Sequence, residues 1–180
     1  MSENRQIIIA ELPDGPLHPD NFGVRLGEMP VPGEGEVLAK TLAITIGAGQ
    51  RAGLQGSASY AGAARAEVVM GGTGVARIEA SNHPDFQPGE LVMAMTGWQE
   101  FSALPGAVLT RVDPHLDPAL QLGPLGTNGL TAYFGLLDVG QPQPGETVVV
   151  SAASGSVGHI VGQIAKIKGC RVVGVAGSDA

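Results

Sequence analysis

Residues 147–158 decide the fold class of this chain, and they read Thr-Val-Val-Val-Ser-Ala-Ala-Ser-Gly-Ser-Val-Gly. The β-branched run at 147–150 predicts a strand buried on both faces, as in parallel sheets that carry helices on each side. Apolar residues then recur at helical spacing up to Ile167, and residues 171–176 predict a second buried strand. Strand, glycine-containing turn, helix and strand make one βαβ unit, so this end of the chain is α/β.

The turn of this unit carries the pattern Ala153-x-Gly155-x-x-Gly158, a variant of the dinucleotide-binding pattern G-x-G-x-x-G. Ala153 occupies the place of the first glycine, and its methyl group narrows the turn. Gly155 lets the backbone approach a pyrophosphate, and Gly158 lets the helix pack closely on the strand. The N–H groups around Ser156 and Val157 lie at the positive end of the helix dipole. A turn of small residues without a ligand is the alternative, but the strand and helix on either side favour dinucleotide binding.

The end of the second strand bears on the choice of cofactor. NAD-binding folds place an acidic residue there, about 20 residues beyond the glycine pattern, to bind the ribose hydroxyls. Here the strand is followed by Gly177 and Ser178, and Asp179 lies slightly too far along. Small neutral residues leave room for a 2′-phosphate, to which Ser178 can donate a hydrogen bond. The sequence therefore favours NADP(H).

The part of the chain before about residue 113 alternates short apolar runs with turns rich in glycine and proline. The chain has 28 glycines and 13 prolines, but 43% of its residues are hydrophobic, which argues against disorder. Strand candidates lie at 7–9, 37–46, 67–70, 75–78, 91–95 and 107–112. Strands at this spacing predict a β-barrel or sandwich-like domain. Residues 128–137 predict a helix in which Tyr133 faces the core.

Charge and cysteine content exclude several classes of function. The net charge is -7 and no basic cluster is present, so we expect no nucleic-acid partner and no membrane surface as partner. No apolar run approaches the roughly 20 residues that span a bilayer, and no signal peptide is recognisable at the start. The single cysteine, Cys170, allows no internal disulfide and no multi-cysteine zinc site. The cytoplasm is the expected location.

Several stretches together resemble the medium-chain dehydrogenase/reductase superfamily, along nearly the whole chain. They are residues 124–137 (Pro-Leu-Gly-Thr-Asn-Gly-Leu-Thr-Ala-Tyr-Phe-Gly-Leu-Leu), 144–158 and 172–178, with 83–89 and 96–100 in support. The branch they resemble is zinc-independent and contains leukotriene/prostaglandin reductases, plant double-bond reductases and bacterial curcumin reductase. The resemblance implies a GroES-like β-barrel domain over residues 1–123. It further implies the first βαβ unit of an incomplete Rossmann domain, a doubly wound parallel sheet, over residues 124–180.

The resemblance also implies an activity and a set of site residues. The activity is NADPH-dependent reduction of the carbon–carbon double bond of α,β-unsaturated ketones and aldehydes, without a metal. The implied cofactor-binding residues are Ser154, Gly155, Val157 and Gly158 at the pyrophosphate, Thr131 beside the nicotinamide, and Gly177 and Ser178 at the adenosine phosphate. The tyrosine that helps to stabilise the enolate in this family is expected beyond Ala180, so no catalytic residue is assigned.

The loop after the strand at 37–46 departs from the family. The family often has Asp-Pro-Tyr-Met-Arg-Gly there, whereas residues 46–52 read Ile-Gly-Ala-Gly-Gln-Arg-Ala. Arg51 is retained, and Arg51 and Tyr60 are the candidates for lining the substrate cleft. A surface ion pair for Arg51 and a surface loop for Tyr60 are the alternatives. Zinc-binding relatives carry a Cys in this loop and a Gly-His-Glu stretch, where this chain has glycines, so we expect no metal.

The length of the α/β part predicts an unfinished fold. One βαβ unit takes about 30 residues, and a six-stranded doubly wound sheet needs about four more βα repeats. The alternatives to reduction of unsaturated ketones and aldehydes are a non-catalytic fragment and a quinone oxidoreductase-like or binding relative. We expect a homodimer for the intact protein. For residues 1–180 alone we expect no activity, weak NADPH binding and self-association through an unpaired strand edge.

Overall fold

Two compact units divide the chain, Met1–Pro118 and Ala119–Ala180. They are seen in a computed structural model that describes residues 3–56 and 65–177. The domain boundary between residues 123 and 124 that the family resemblance implies stays a prediction. Tyr60, Ser178 and Asp179 lie outside the described residues.

Antiparallel strands form the framework of the first unit. The strands are β1 (Glu3–Ile9), β2 (Phe22–Glu28), β3 (Glu36–Ile44), β4 (Val68–Val69), β5 (Gly74–Ser81), β6 (Leu91–Ala94), β7 (Phe101–Pro105) and β8 (Thr110–Arg111). One sheet has the order β2-β1-β4 and the other the order β7-β3-β5-β6-β8. A short helix, α1 (Ala48–Leu54), follows β3. The strands expected from the sequence are present, although residues 107–112 form a 3₁₀ turn and only the two-residue strand β8.

The larger sheet buries one face, because alternate residues of a strand point to the same side. The core on that face consists of Val37, Ala39, Ala76, Ile78, Phe86, Val92, Ala94 and Leu104. The sheets are open rather than closed into the expected barrel, because β7 and β8 each pair with one neighbour among the described strands. Gln6 and Gln99 form an isolated β-bridge between β1 and the segment before β7, and the Ile7 N–H donates to the Trp98 carbonyl at 2.8 Å.

A buried asparagine reinforces this connection. Asn4 is 1% exposed. Its side-chain amide donates to the Phe101 carbonyl at 2.9 Å, and its side-chain oxygen accepts from the Phe101 N–H at 2.9 Å. The side chain thus replaces the hydrogen bonds that a paired strand would make to β7.

The second unit contains the predicted βαβ arrangement. Its elements are α2 (Pro118–Leu122), which starts at the unit boundary, α3 (Thr127–Phe134), β9 (Thr147–Ser151), α4 (Gly158–Ile167) and β10 (Arg171–Val175). A π-helical segment, Gly135–Gly140, continues α3. Strands β9 and β10 pair in parallel, as expected for a βαβ unit. Gly169, with φ +81°, follows α4 in the left-handed conformation expected of a glycine after a helix.

The prediction that these two strands are buried on both faces is wrong for this chain. Helix α4 and Leu136 pack on the face that carries Val148 and Val172. On the other face, Val149 is 66% exposed and Val175 is 53% exposed. The described residues therefore cover one face of the two-stranded sheet.

The expectation that Tyr133 lies in the core was also wrong. Its neighbour Ala132 is fully buried, whereas Tyr133 is 49% exposed and packs edge-on against Phe134. Successive residues of a helix lie about 100° apart, so burying the small Ala132 turns both aromatic rings away from the packed face.

Candidate cofactor-binding site

The candidate site is the turn between β9 and α4. The turn closes through the Gly155 N–H, which donates to the Ala152 carbonyl at 2.9 Å. Ala152 has φ +49°, a left-handed conformation that is uncommon for a residue with a side chain. The Ala153 N–H donates to the Val175 carbonyl at 3.0 Å. The turn is therefore fixed to the end of β10, where residues 176–177 follow.

Glycine is required where α4 begins. A Cβ at Gly158 would overlap the Ala152 carbonyl, and it would lie 3.0 Å from the Ala153 Cα. A Cβ at Gly155 would lie 3.1 Å from the same carbonyl oxygen, which is tighter than an ordinary contact. The backbone of the turn and the first residue of the helix thus approach each other as closely as atoms allow. This agrees with the sequence-based reason for a glycine at 158.

The alanine at the first position of the glycine pattern has a structural partner that the sequence reasoning missed. A Cβ built at Gly174 of β10 would lie 2.8 Å from the Ala153 Cβ. Gly174 therefore leaves the space that the Ala153 methyl group fills. A lone glycine inside a strand is a known signal of close approach, and it could have pointed to this contact.

Two backbone donors at the start of α4 have no acceptor among the described residues. Among the described residues, neither backbone nor side chain accepts a hydrogen bond from the N–H of Ser156 or Val157. Ser154, Gly155 and Ser156 are exposed. Because donors of this kind at a helix N-terminus suit an anionic group, the turn fits a pyrophosphate.

His159, the second residue of α4, stabilises the turn. The ring is exposed, and its Nδ1 lies 2.8 Å from the Gly155 carbonyl oxygen. A carbonyl oxygen only accepts, so Nδ1 carries the proton and donates. The His159 backbone N–H donates to the same carbonyl at 3.1 Å. Two donors therefore fix the peptide of Gly155.

The other predicted cofactor residues of the second unit lie on neighbouring elements. Thr131 is exposed on α3, and its hydroxyl donates to the Thr127 carbonyl at 2.7 Å. A Cβ at Gly129 in the same helix would overlap the Pro124 carbonyl, so glycine is required there. Gly177 follows β10, and no heavy atom of residues 3–56 or 65–177 lies within 4 Å of a Cβ built on it. The roles of Thr131 beside the nicotinamide and of Gly177 at the adenosine phosphate stay predictions.

The first unit holds the described substrate-lining candidate. Arg51 is exposed on α1, and its side chain forms no ion pair with any residue in the ranges 3–56 and 65–177. Within the same ranges, no group of three or more His, Cys, Asp and Glu side chains could hold a metal ion. No described helix is both long enough and apolar enough to cross a membrane.

Comparison with known proteins decides the family. Residues 5–112 match the family described as the N-terminal domain of oxidoreductase. The chain belongs to this oxidoreductase family. The predicted membership of the medium-chain dehydrogenase/reductase superfamily is thereby confirmed, and the chain matches the first half of its relatives.

Relatives within this oxidoreductase family agree in sequence and fold. The NADPH-dependent curcumin reductase of Escherichia coli is 45% identical over 175 residues, which are 97% of this chain and 51% of the relative. Prostaglandin reductase 1 of Sus scrofa is 42% identical over 89% of this chain and 48% of the relative. The structure of CurA in complex with NADPH from Vibrio vulnificus matches with a TM-score of 0.87 at 42% identity, over 97% of this chain and 52% of that chain. These matches confirm the predicted fold class of a GroES-like domain followed by the start of a Rossmann domain. The chain spans about half the length of the relatives it matches.

Proposed function

We propose that the turn at residues 152–158 binds the pyrophosphate of NADP(H), and that the intact protein is an oxidoreductase acting on α,β-unsaturated ketones and aldehydes. The observation that carries the proposal is the turn itself. Its Ser156 and Val157 N–H groups are free of acceptors among the described residues, and Gly158 leaves no room for a side chain. The likeness to the structure of CurA in complex with NADPH, which covers 97% of this chain, supports the same assignment.

The preference for NADP(H) over NAD is supported by the end of β10. The described residues that follow the strand are Ala176 and Gly177, and neither carries a carboxylate. No described heavy atom lies within 4 Å of a Cβ built on Gly177, which supports a site open to a 2′-phosphate. The Escherichia coli relative is named as NADPH-dependent, which supports the same choice.

The proposed reaction saturates a carbon–carbon double bond. When bound, NADPH would supply a hydride for the β-carbon and become NADP⁺, and a proton from solvent would reach the α-carbon, so that the carbon–carbon double bond becomes a single bond. The residues of this chain would bind and orient the cofactor and the substrate. Ser154, Gly155, Val157 and Gly158 would hold the pyrophosphate, while Arg51 and Tyr60 would line the substrate cleft. The tyrosine that assists the enolate is expected beyond Ala180.

We propose that no metal takes part. The segments that hold zinc ligands in zinc-binding relatives have glycine at Gly47 and Gly72. In this structure the Gln50 carboxamide lies between these segments and contacts both through hydrogen bonds. The donors and the acceptor of the Gln50 carboxamide are taken up by these hydrogen bonds. Neither segment, 45–50 or 71–73, contains the Cys, His or carboxylate side chains that zinc takes as ligands.

The experiment is an assay of the intact protein that contains residues 1–180, in which oxidation of NADPH is followed by absorbance. An unsaturated aldehyde, its saturated counterpart and a quinone are the substrates, and the product is identified by mass spectrometry. We expect NADPH oxidation with the unsaturated aldehyde and a product that is the saturated aldehyde. An allylic alcohol as product, or turnover of the quinone alone, would refute the proposed reaction. Equal rates with NADH and NADPH would refute the proposed cofactor.

The chain of residues 1–180 by itself is proposed to be inactive and to bind NADPH weakly. Strand β9 pairs with β10 alone among the described strands, and Val149 beside this edge is 66% exposed. An open edge with an apolar face favours association. We therefore propose self-association of this chain. For the intact protein we propose a homodimer, and the cytoplasm as its location, as the family resemblance and the sequence suggest. Light scattering that shows a monomer across a wide range of concentrations would refute the proposed association.

A further inference from the structure

Gln50, in helix α1, ties together two separate backbone segments. Its Nε2 donates to the Thr45 carbonyl at 3.0 Å and to the Gly71 carbonyl at 3.0 Å. Its Oε1 accepts from the Gly47 N–H at 2.6 Å. A primary amide has two N–H donors, so both are used here. We call this set of three hydrogen bonds the Gln50 clamp.

Gly72, the residue after Gly71, lies close to the Gln50 side chain. A Cβ at Gly72 would lie 2.8 Å from the Gln50 Nε2 and 2.8 Å from the Trp98 Nε1. The carboxamide and the indole thus both lie where a Cβ of residue 72 would stand, so a side chain there would force Gln50 or Trp98 to move. The indole Nε1 of Trp98 is buried and has no hydrogen-bond partner among the described residues. Trp98 is the one tryptophan of the sequence, so its fluorescence reports on this contact.

The clamp lies in the loop where this chain departs from its family. The Asp, Pro and Tyr of the family pattern are absent, and the loop contains Gly47 and Gly49 instead. Glycines enlarge the conformational freedom of the unfolded loop and do not fix its backbone by themselves. The Gln50 clamp supplies the missing constraint, because it holds both the start of α1 and the segment at Gly71.

Arg51 extends from the next residue of the same helix and is exposed, without an ion pair among the described residues. The structure assigns Gln50 the role of a positioning residue for the substrate-lining Arg51. This assignment rests on the proposed function. A guanidinium binds a carbonyl oxygen by donating its N–H groups, and it does so effectively when the backbone beneath it is rigid. The clamp provides that rigidity.

The experiment compares Gln50→Leu with Arg51→Met and with the double variant, in the intact protein. Gln50→Leu removes all three hydrogen bonds. We expect the KM for an unsaturated aldehyde to rise about fivefold. This corresponds to the net contribution of one hydrogen bond, the bond from Arg51 to the substrate. The kcat and the Kd for NADPH are expected to stay near the wild-type values. Arg51→Met should raise the KM to a similar extent, and the double variant no further than Arg51→Met alone.

Gln55→Leu is the matched control. Gln55 follows the same helix, and its Nε2 donates to the Gly15 carbonyl at 3.1 Å, so a single exposed hydrogen bond is lost. We expect Gln50→Leu to shift the emission of Trp98 and Gln55→Leu to leave both the emission and the KM unchanged. If Gln50→Leu fails to fold, Gln50→Glu takes its place, because a carboxylate accepts from Gly47 but cannot donate to the two carbonyls.

The outcomes separate the positioning role from the proposed function. A shifted Trp98 emission with an unchanged KM in both Gln50 variants would overturn the positioning role and leave a structural one. Additive effects of Gln50→Leu and Arg51→Met on the KM would overturn it as well. No change of KM in Arg51→Met would instead refute the role of Arg51 in binding substrate, and with it the proposed substrate site.

Discussion

The contact between Ala153 and Gly174 allows a quantitative prediction for the turn. Gly174→Ala places a methyl carbon 2.8 Å from the Ala153 Cβ, whereas two carbons are in favourable contact from about 3.5 Å. The overlap of about 0.7 Å must be relieved by moving the turn or the strand, and overpacking of this kind costs about 1–3 kcal/mol. Ala153→Gly removes the methyl group and adds backbone freedom to the unfolded chain, which should lower the free energy of unfolding by about 0.5–1 kcal/mol.

The double variant Ala153→Gly/Gly174→Ala transfers the methyl group from the turn to the strand. Because the overlap disappears, it should be more stable than the sum of the single changes predicts, with a coupling energy of about 1–2 kcal/mol. Gly162→Ala is the matched control. A Cβ there meets Val172 at 3.6 Å, an ordinary contact, and alanine is favoured over glycine within a helix.

The assay is amide hydrogen exchange at Ala153, whose N–H donates to the Val175 carbonyl. Gly174→Ala should lower the protection of this amide by about tenfold for each 1.4 kcal/mol, and the double variant should recover most of it. Gly162→Ala should leave the protection unchanged or raise it. Additivity of the two single changes within about 0.5 kcal/mol would refute the reasoning, because independent sites behave in that way.

Further predictions concern both units. Asn4→Ala leaves the N–H and carbonyl of Phe101 without their partner, and should lower the free energy of unfolding by about 1–3 kcal/mol in urea titrations; an unchanged midpoint would contradict this. The backbone N–H of Gln87, and then Arg111, lower the pKa of Glu90 from its ordinary value of 4.5. The ionised Glu90 carboxylate therefore stabilises the folded chain fully above pH 4.5, and this stabilisation is lost as the pH falls through the lowered pKa. Glu90→Gln should destabilise the chain at neutral pH and less so in acid; a difference that does not depend on pH would contradict this. Gly158→Ala, by overlapping the start of the turn, should remove NADPH binding in the intact protein, as measured by fluorescence titration.

The sequence predicted the local part of the site well. Strand β9, the turn and α4 follow from a β-branched run, small residues and an apolar stripe, all of which are local patterns. The need for glycine at Gly158 was predicted from the same pattern. Gly174 was not, because its role depends on a methyl group 21 positions earlier that only pairing of β9 with β10 brings near.

Burial could be predicted less well than local structure. The exposure of Val149 depends on which elements cover the second face of its sheet, and a strand's own residues do not specify that. Similarly, short apolar runs between glycine- and proline-rich turns predicted strands but not whether the sheets close. Closure depends on contacts such as Asn4 with Phe101, in which a side chain replaces a strand ladder. The Gln50 clamp was missed because no local pattern marks a glutamine whose partners lie in two segments.

The most direct measurement of the central claim is a titration of the isotope-labelled chain with NADPH, followed by NMR of the backbone amides. This method detects weak binding, which is expected for residues 1–180. We expect the amide signals of Ser154, Gly155, Val157 and Gly158 to shift together and saturate, and NADH to cause smaller shifts at the same concentration. Shifts confined to another surface, or no shift in the turn at millimolar NADPH, would contradict the assignment of this turn to the cofactor.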